Sequence, residues 1–153
     1  MCQHVQMDMS SFTFSETRHI AHADLVSLYN SVGWAAYAND PDSLARAVEQ
    51  SSFVVSVRDV TGGLVGLARV ISDDVSICYL QDVLVSTHHQ RAGIGRALVK
   101  RVLDRYVHVR QKVLLTDDEP SQRAFYESLG FIEGNDFEPT PVRAFVQIGN
   151  HSS

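Results

Sequence analysis

Apolar residues fall along this chain in two alternating rhythms, and the switches between them mark out its elements. Phe12-Thr13-Phe14-Ser15 alternates in the manner of a short strand. Leu25, Leu28, Tyr29 and Val32 then recur at steps of three or four, one face of a helix that Gly33 closes. Asp40-Pro41 opens a second helix, with Asp as cap and Pro in the first turn, and Leu44, Ala47 and Val48 form its buried stripe. Residues 53–57 and 64–71 read as a hairpin about a turn at 59–63, and Asp73-Asp74 turns the chain again into a strand over 77–85. Helical period returns with Ile94, Ala97, Leu98, Val102, Tyr106 and Val109. Residues 113–116 make a buried strand, and a helix over 121–129 ends at Gly130 in a left-handed cap. Phe131-Ile132 and residues 142–148 are expected as two last strands around a polar loop holding Pro139 and Pro141. The order is β-α-α-β-β-β-α-β-α-β-β. It predicts an α/β chain whose mixed sheet carries helices on its faces.

A length of 153 residues suits one domain, expected over 11–149 between loose tails at 1–10 and 150–153. Hydrophobic content of 44% and charged content of 20% are those of a soluble globular protein. A net charge of −5 argues against general nucleic-acid binding. Its distribution adds more: seven of the 13 basic residues (Arg91, Arg96, Lys100, Arg101, Arg105, Arg110 and Lys112) fall between 91 and 112, against one acid, Asp104. Either this is a solvated helix face, or Arg91 and Arg96 attract phosphates while the acidic remainder suits a cationic partner. Cys2 and Cys78 offer no disulfide framework, and no Cys/His spacing matches a metal site. No secretory segment and no apolar run of membrane length is seen, so a cytoplasmic protein without a membrane partner is expected.

Candidate chemistry gathers where the strand over 77–85 runs through Gln90-Arg91-Ala92-Gly93-Ile94-Gly95-Arg96 into the long helix. A helix start has backbone N–H groups without partners and a dipole that favours negative charge, and glycine lets a phosphate approach the main chain. A P-loop would need Gly-x-x-x-x-Gly-Lys-Ser/Thr, which is not present. A dinucleotide fingerprint would need Gly or Ala where Leu98 stands and a shorter approach from the strand; it is kept as a remote oxidoreductase alternative. Gln90 to Gly95 does match Gln/Arg-x-x-Gly-x-Gly/Ala in full. That stretch resembles the pyrophosphate-binding motif of the GNAT acetyltransferase superfamily. Ala124-Phe125-Tyr126-Glu127-Ser128-Leu129-Gly130-Phe131 is similar to the family's C-terminal Phe-Tyr-x-x-x-Gly-Phe segment, and the element order is also the family's. Asp82-Val83-Leu84-Val85 and Gly33-Trp34 look like a branch of small amine acetyltransferases that includes plant serotonin N-acetyltransferase-like proteins.

The resemblance implies a GNAT fold, acetyl-coenzyme A as co-substrate, no metal, and direct transfer of acetyl to a primary amine, without an acyl-enzyme. The amine would be a small molecule or a peptide, and a homodimer through the C-terminal strands would be common for the family. A non-catalytic acyl-coenzyme A-binding module is the alternative. By position, Gln90, Arg91, Ala92, Gly93, Ile94, Gly95 and Arg96 would wrap the pyrophosphate. Leu84 and Val85 would offer main-chain contacts to the pantetheine arm, with the Val85 N–H as oxyanion donor; simple core packing is compatible with that. Tyr126 matches the tyrosine that protonates the departing thiolate, against a reading as a packed helix aromatic. An Asn seven residues before that tyrosine is common in the family; Glu119 stands there, which puts one pantetheine contact in doubt.

Asp82 is the strongest base candidate on the residues themselves. It alternates with Leu80 and Leu84, so its carboxylate is expected on an otherwise apolar sheet face, where it suits proton uptake. The competing reading is a structural pair with Arg69. His22, His88 and Tyr79 are weaker rivals, and His88 and His89 are expected in solvent. Trp34 and Tyr37 would line the acceptor side with aromatic faces suited to an arylalkylamine or a cationic amine, or else fill core.

Overall fold

A computed structural model describes residues 9–149. Most of the two expected tails (1–8 and 150–153) lies outside the described residues, and Met9–Ser11 forms a single 3-10 turn. The chain divides into two compact units, one ending at Leu115 and the other starting at Thr116.

The first unit holds a five-stranded sheet in the order β1-β2-β3-β4-β5. Its strands are β1 (Thr13–Ser15), β2 (Phe53–Arg58), β3 (Leu64–Ser72), β4 (Ile77–Val85) and β5 (Gln111–Leu114). Pairing is antiparallel through β4, with short turns joining β2 to β3 and β3 to β4, and parallel between β4 and β5, which a helical crossover joins. Helices α1 (His22–Ser31) and α3 (Pro41–Glu49) cover one face. There Leu25, Leu28, Tyr29, Leu44 and Val48 pack with Val54, Leu67 and Leu84. The Asp40 cap is formed as its sequence predicts, the carboxylate accepting the Ser43 N–H at 3.2 Å. Between these helices, where the sequence shows no period, Ala35–Ala38 forms one further turn, α2.

Helix α4 (Ile94–Arg105) covers the other face with Ile94, Leu98, Val99 and Val102. Gly66 on β3 makes the close approach possible. A Cβ there would lie 3.1 Å from Ile94 Cγ2 and 3.3 Å from Leu98 Cδ1, so a side chain would push the start of α4 off the sheet.

The second unit contains α5 (Pro120–Ser128), closed by Gly130 at φ +91° as expected of a left-handed cap. Arg123 forms ion pairs with Glu127, Glu133 and Asp136, the last at 2.6 Å, tying the helix to the segment beyond it. The two expected C-terminal strands are not formed: residues 131–132 and 142–148 run as irregular backbone among the described residues. The physical reason is exposure. Val142, Phe145, Val146 and Ile148 bury no common face, and an alternating apolar run becomes a strand only beside a partner.

Candidate active site

Strand β4 is the spine of the site, and its pairing explains what it presents. Against β3 the register passes from Leu80↔Val70 to Asp82↔Arg69, leaving Gln81 opposite no residue. This β-bulge shifts the alternation by one. Leu80 therefore shares a face with Val70, whereas Asp82 and Leu84 share one with Arg69 and Leu67. The expectation that Asp82 alternates with Leu80 is corrected on this point. Simple counting by twos does not survive an extra residue.

On its other side β4 is paired with β5 only from Ile77↔Gln111 to Leu80↔Leu114. Beyond Leu80 no described strand flanks it there. The Ser86 N–H donates to Val65 O at 2.8 Å, which fixes the alternation of backbone groups in this half. Leu84 turns its amide and carbonyl toward β3, while Val83 and Val85 turn theirs to the open side. The Val85 carbonyl accepts the Gln90 side-chain amide at 3.2 Å. Leu84 thus contributes a buried side chain, 3% exposed, and Val85 the outward backbone.

A 3-10 turn, Thr87–His89, leads from β4 to the glycine turn. His88 is exposed as expected, but His89 is half-buried, its ring edge-on to Phe12 at 6.1 Å. In the glycine turn, Ala92 and Ile94 are 5% and 1% exposed and anchor it in the core, while Gln90, Arg91, Gly93 and Arg96 face solvent and Gly95 is half-buried. Arg91 and Gly93 both have left-handed backbone, at φ +67° and +83°. Left-handed residues of this kind build concave runs of N–H groups that receive anions. Gly93 caps α4 with no side-chain bond, no acid lies in the first turn, and nothing lies within 4 Å of where its Cβ would be. The residues present therefore fit a bound phosphate group.

Asp82 is 4% exposed. Its Oδ2 accepts from Arg69 Nε at 2.5 Å and from the Tyr29 hydroxyl at 2.8 Å. The structural pair with Arg69 is thus formed, and Tyr29 is a third member that helical periodicity marked only as core. Burial, followed by the Asp82 charge, drives the Tyr29 hydroxyl well above the ordinary phenol range. Trp34 and Tyr37 pack on the Tyr29 ring, with centroids at 5.8 and 5.7 Å, so both belong to the same cluster as Asp82. Tyr79 is raised by burial and then by Asp82 and Tyr37, which places it beside that cluster too. His22 is remote in kind, exposed and 3.4 Å from Asp42.

Tyr126 belongs to the second unit. Its ring meets Phe125 and Phe131 edge-on at 4.9 and 5.7 Å, and burial pushes its hydroxyl up to about 12. Glu119 is the N-cap residue of α5 and makes no side-chain cap bond.

A family model for the acetyltransferase (GNAT) domain matches residues 29–140. The chain is 25% identical over 134 residues to the uncharacterized N-acetyltransferase ycf52 of Pyropia yezoensis, covering 86% of this chain and 76% of that one. It is 26% identical over 150 residues to the histone acetyltransferase TAP1 of Glycine max, covering 90% of this chain and 62% of that one. Among solved structures, the GNAT family acetyltransferase SP0256 of Streptococcus pneumoniae TIGR4 superimposes with a TM-score of 0.76 at 28% identity, over 90% of this chain and 98% of that one. With the family model matching well over half of the chain, on a splayed strand that feeds a glycine turn, the protein belongs to the GNAT family of acetyltransferases.

Proposed function

We propose that this acetyltransferase moves acetyl from acetyl-coenzyme A to a primary amine by direct attack. The observation that carries the reading is the open side of β4, where the outward backbone of Val85 is tied to the glycine turn through the Gln90 side-chain amide. Gln90, Arg91, Ala92, Gly93, Ile94, Gly95 and Arg96 hold the pyrophosphate, and Val83 and Val85 offer main-chain groups to the pantetheine arm. Bound there, acetyl-coenzyme A supplies an activated acyl group. Asp82 takes a proton from the acceptor's ammonium, freeing the nitrogen lone pair for attack. The Val85 N–H donates to the carbonyl oxygen as negative charge grows on it. Tyr126 gives its hydroxyl proton to the departing sulfur, and the surplus proton on nitrogen leaves to solvent as the new amide forms.

Trp34 and Tyr37 line the acceptor side, which suits an arylalkylamine or a cationic amine. TAP1, named a histone acetyltransferase, keeps a peptide amine in view as the other acceptor class. The exposed apolar segment ending in Phe145, Val146 and Ile148, 91%, 56% and 83% exposed, supports a homodimer in which a second copy covers it. Sedimentation of the parent and of Phe145→Asp would then give dimer and monomer.

The function is tested by calorimetric titration with acetyl-coenzyme A, with NADH as control. Turnover is then followed by thiol release with phenylethylamine, spermidine and a lysine-containing peptide. Binding of acetyl-coenzyme A alone and release of thiol with one amine are the expected results. Heat with NADH, or none with acetyl-coenzyme A, would overturn the assignment of the glycine turn.

A further inference from the structure

The hydrogen bond between Tyr29 and Asp82 joins residues 53 positions apart and closes a buried chain that crosses one face of the sheet. Tyr29 comes from α1, Asp82 from β4 and Arg69 from β3. Arg69 Nη1 reaches Ser51 Oγ at 3.4 Å, and that hydroxyl donates to Ala47 O of α3 at 2.8 Å. Such a network is expensive to bury. Replacing an ion pair by well-packed apolar residues is often neutral or stabilising, and Leu84 two positions on shows that this face accepts them.

Two features of the network point beyond packing. Both donors, Tyr29 and Arg69, converge on the same oxygen, Oδ2, and among the described residues Oδ1 accepts no protein hydrogen bond. The Tyr29 ring, itself fully buried, is also the platform on which Trp34 and Tyr37 pack, with those two 6.3 Å apart. One side chain therefore fixes the carboxylate through its hydroxyl and the aromatic wall through its ring. The titratable groups around Asp82 are Arg69 from β3, Tyr29 from α1 and Tyr79 from its own strand. Of these, the Tyr29 hydroxyl is the neutral donor that can be removed without leaving an unpaired charge.

We infer that Tyr29 is a positioning residue for the acceptor: with Arg69 it saturates Oδ2 of Asp82, presents Oδ1 to the incoming ammonium, and holds Trp34 and Tyr37 at a fixed distance from it. The inference rests on the reading of Asp82 as the group that receives the amine proton. It makes Oδ1 the proton's destination, and it makes the hydrogen bond from Tyr29 the contact that aims that oxygen at the acceptor.

Tyr29→Phe tests it, because the ring and its packing stay while only the hydroxyl goes. The carboxyl carbon resonance of Asp82 in the protein without substrates, identified by its absence from Asp82→Asn, is compared in parent and variant at one neutral pH. Losing the hydroxyl donor to Oδ2 displaces that resonance. For the best amine of the panel kcat/KM falls at least tenfold, while the affinity for acetyl-coenzyme A is unchanged. In the Asp82→Asn background Tyr29→Phe then has no further effect. An unmoved carboxyl resonance, or losses that multiply in the double variant, would reduce Tyr29 to packing and overturn the inference. If Asp82→Asn alone leaves kcat/KM intact, the base assignment itself fails, and the inference with it.

Discussion

Single side chains carry sharply different duties in this protein. Gly93 is required by backbone conformation rather than by crowding, for its φ is +83° and the space above it is open. A side chain there meets strain of about 1–2 kcal/mol and then projects into the space proposed for the pyrophosphate. Gly93→Asp is therefore expected to abolish acetyl-coenzyme A binding by calorimetry while the thermal transition drops only modestly. Unchanged affinity would remove the phosphate role. Tyr126, raised to about 12 by burial, stays protonated over the working range. Tyr126→Phe should lower kcat roughly 100-fold with the affinity for acetyl-coenzyme A retained. No basic limb of the pH–rate profile should belong to this hydroxyl below about pH 11. At this scale the glycine turn could be read from the chain itself, because its chemistry is contiguous. Tyr29 could not, since a tyrosine in a Leu-x-x-Leu-Tyr stripe looks like core until its hydroxyl is seen to meet a residue far along the chain.

Among elements, helices and hairpins are marked by period and caps, but the long helix ends at Arg105, short of the periodic Tyr106 and Val109 that stay buried beyond it, and the strand expected as a buried run over 113–116 is Gln111–Leu114, exposed to half-buried. Strand β4 was placed over its observed length, but its facing was not, because one unpaired residue at Gln81 is invisible to a period of two. The C-terminal apolar run shows the opposite error, a strand pattern with no described strand beside it. Gly66 gives a test of how α4 is seated. Gly66→Val should cost about 1–3 kcal/mol in urea denaturation and weaken acetyl-coenzyme A binding, since the displaced end of α4 carries the glycine turn. The turn between β3 and β4 gives a second. Asp73 accepts from the Ser76 hydroxyl and from the backbone N–H groups of Val75, Ile77 and Ser76, which hold it well below the usual carboxylate range. A carboxyl lowered in this way adds stability that is complete above its unfolded value, about 4, and that is lost as pH falls through the folded one. The urea midpoint of Asp73→Asn should therefore lie below the parent's at neutral pH and draw level with it in strong acid.

Across the first unit, the helical layers on the two faces are held by different physics. Under α4 the contacts are apolar, whereas under α1 and α3 a buried ion pair crosses the core. Arg69→Met should destabilise by about 3–5 kcal/mol because it strands the Asp82 charge, and adding Asp82→Leu should restore most of the loss. Urea unfolding of the single and double variants reads both outcomes, and the double variant should fold while lacking turnover. The bulge at Gln81 has a consequence for how this chain tolerates change in length. Before that residue β4 addresses one layer and after it the other, so Gln81 acts as a one-residue phase shift between two readings of the same strand. Deleting it would leave Leu80 and Asp82 as consecutive residues opposite Val70 and Arg69, a regular ladder in which each keeps its present face, whereas deleting Val83 would turn Leu84 off the layer it shares with Leu67. Deletion of Gln81 should therefore leave a folded chain and deletion of Val83, inside the paired run from Arg69↔Asp82 to Gly66↔Val85, should not, a difference that circular dichroism of the two variants reads.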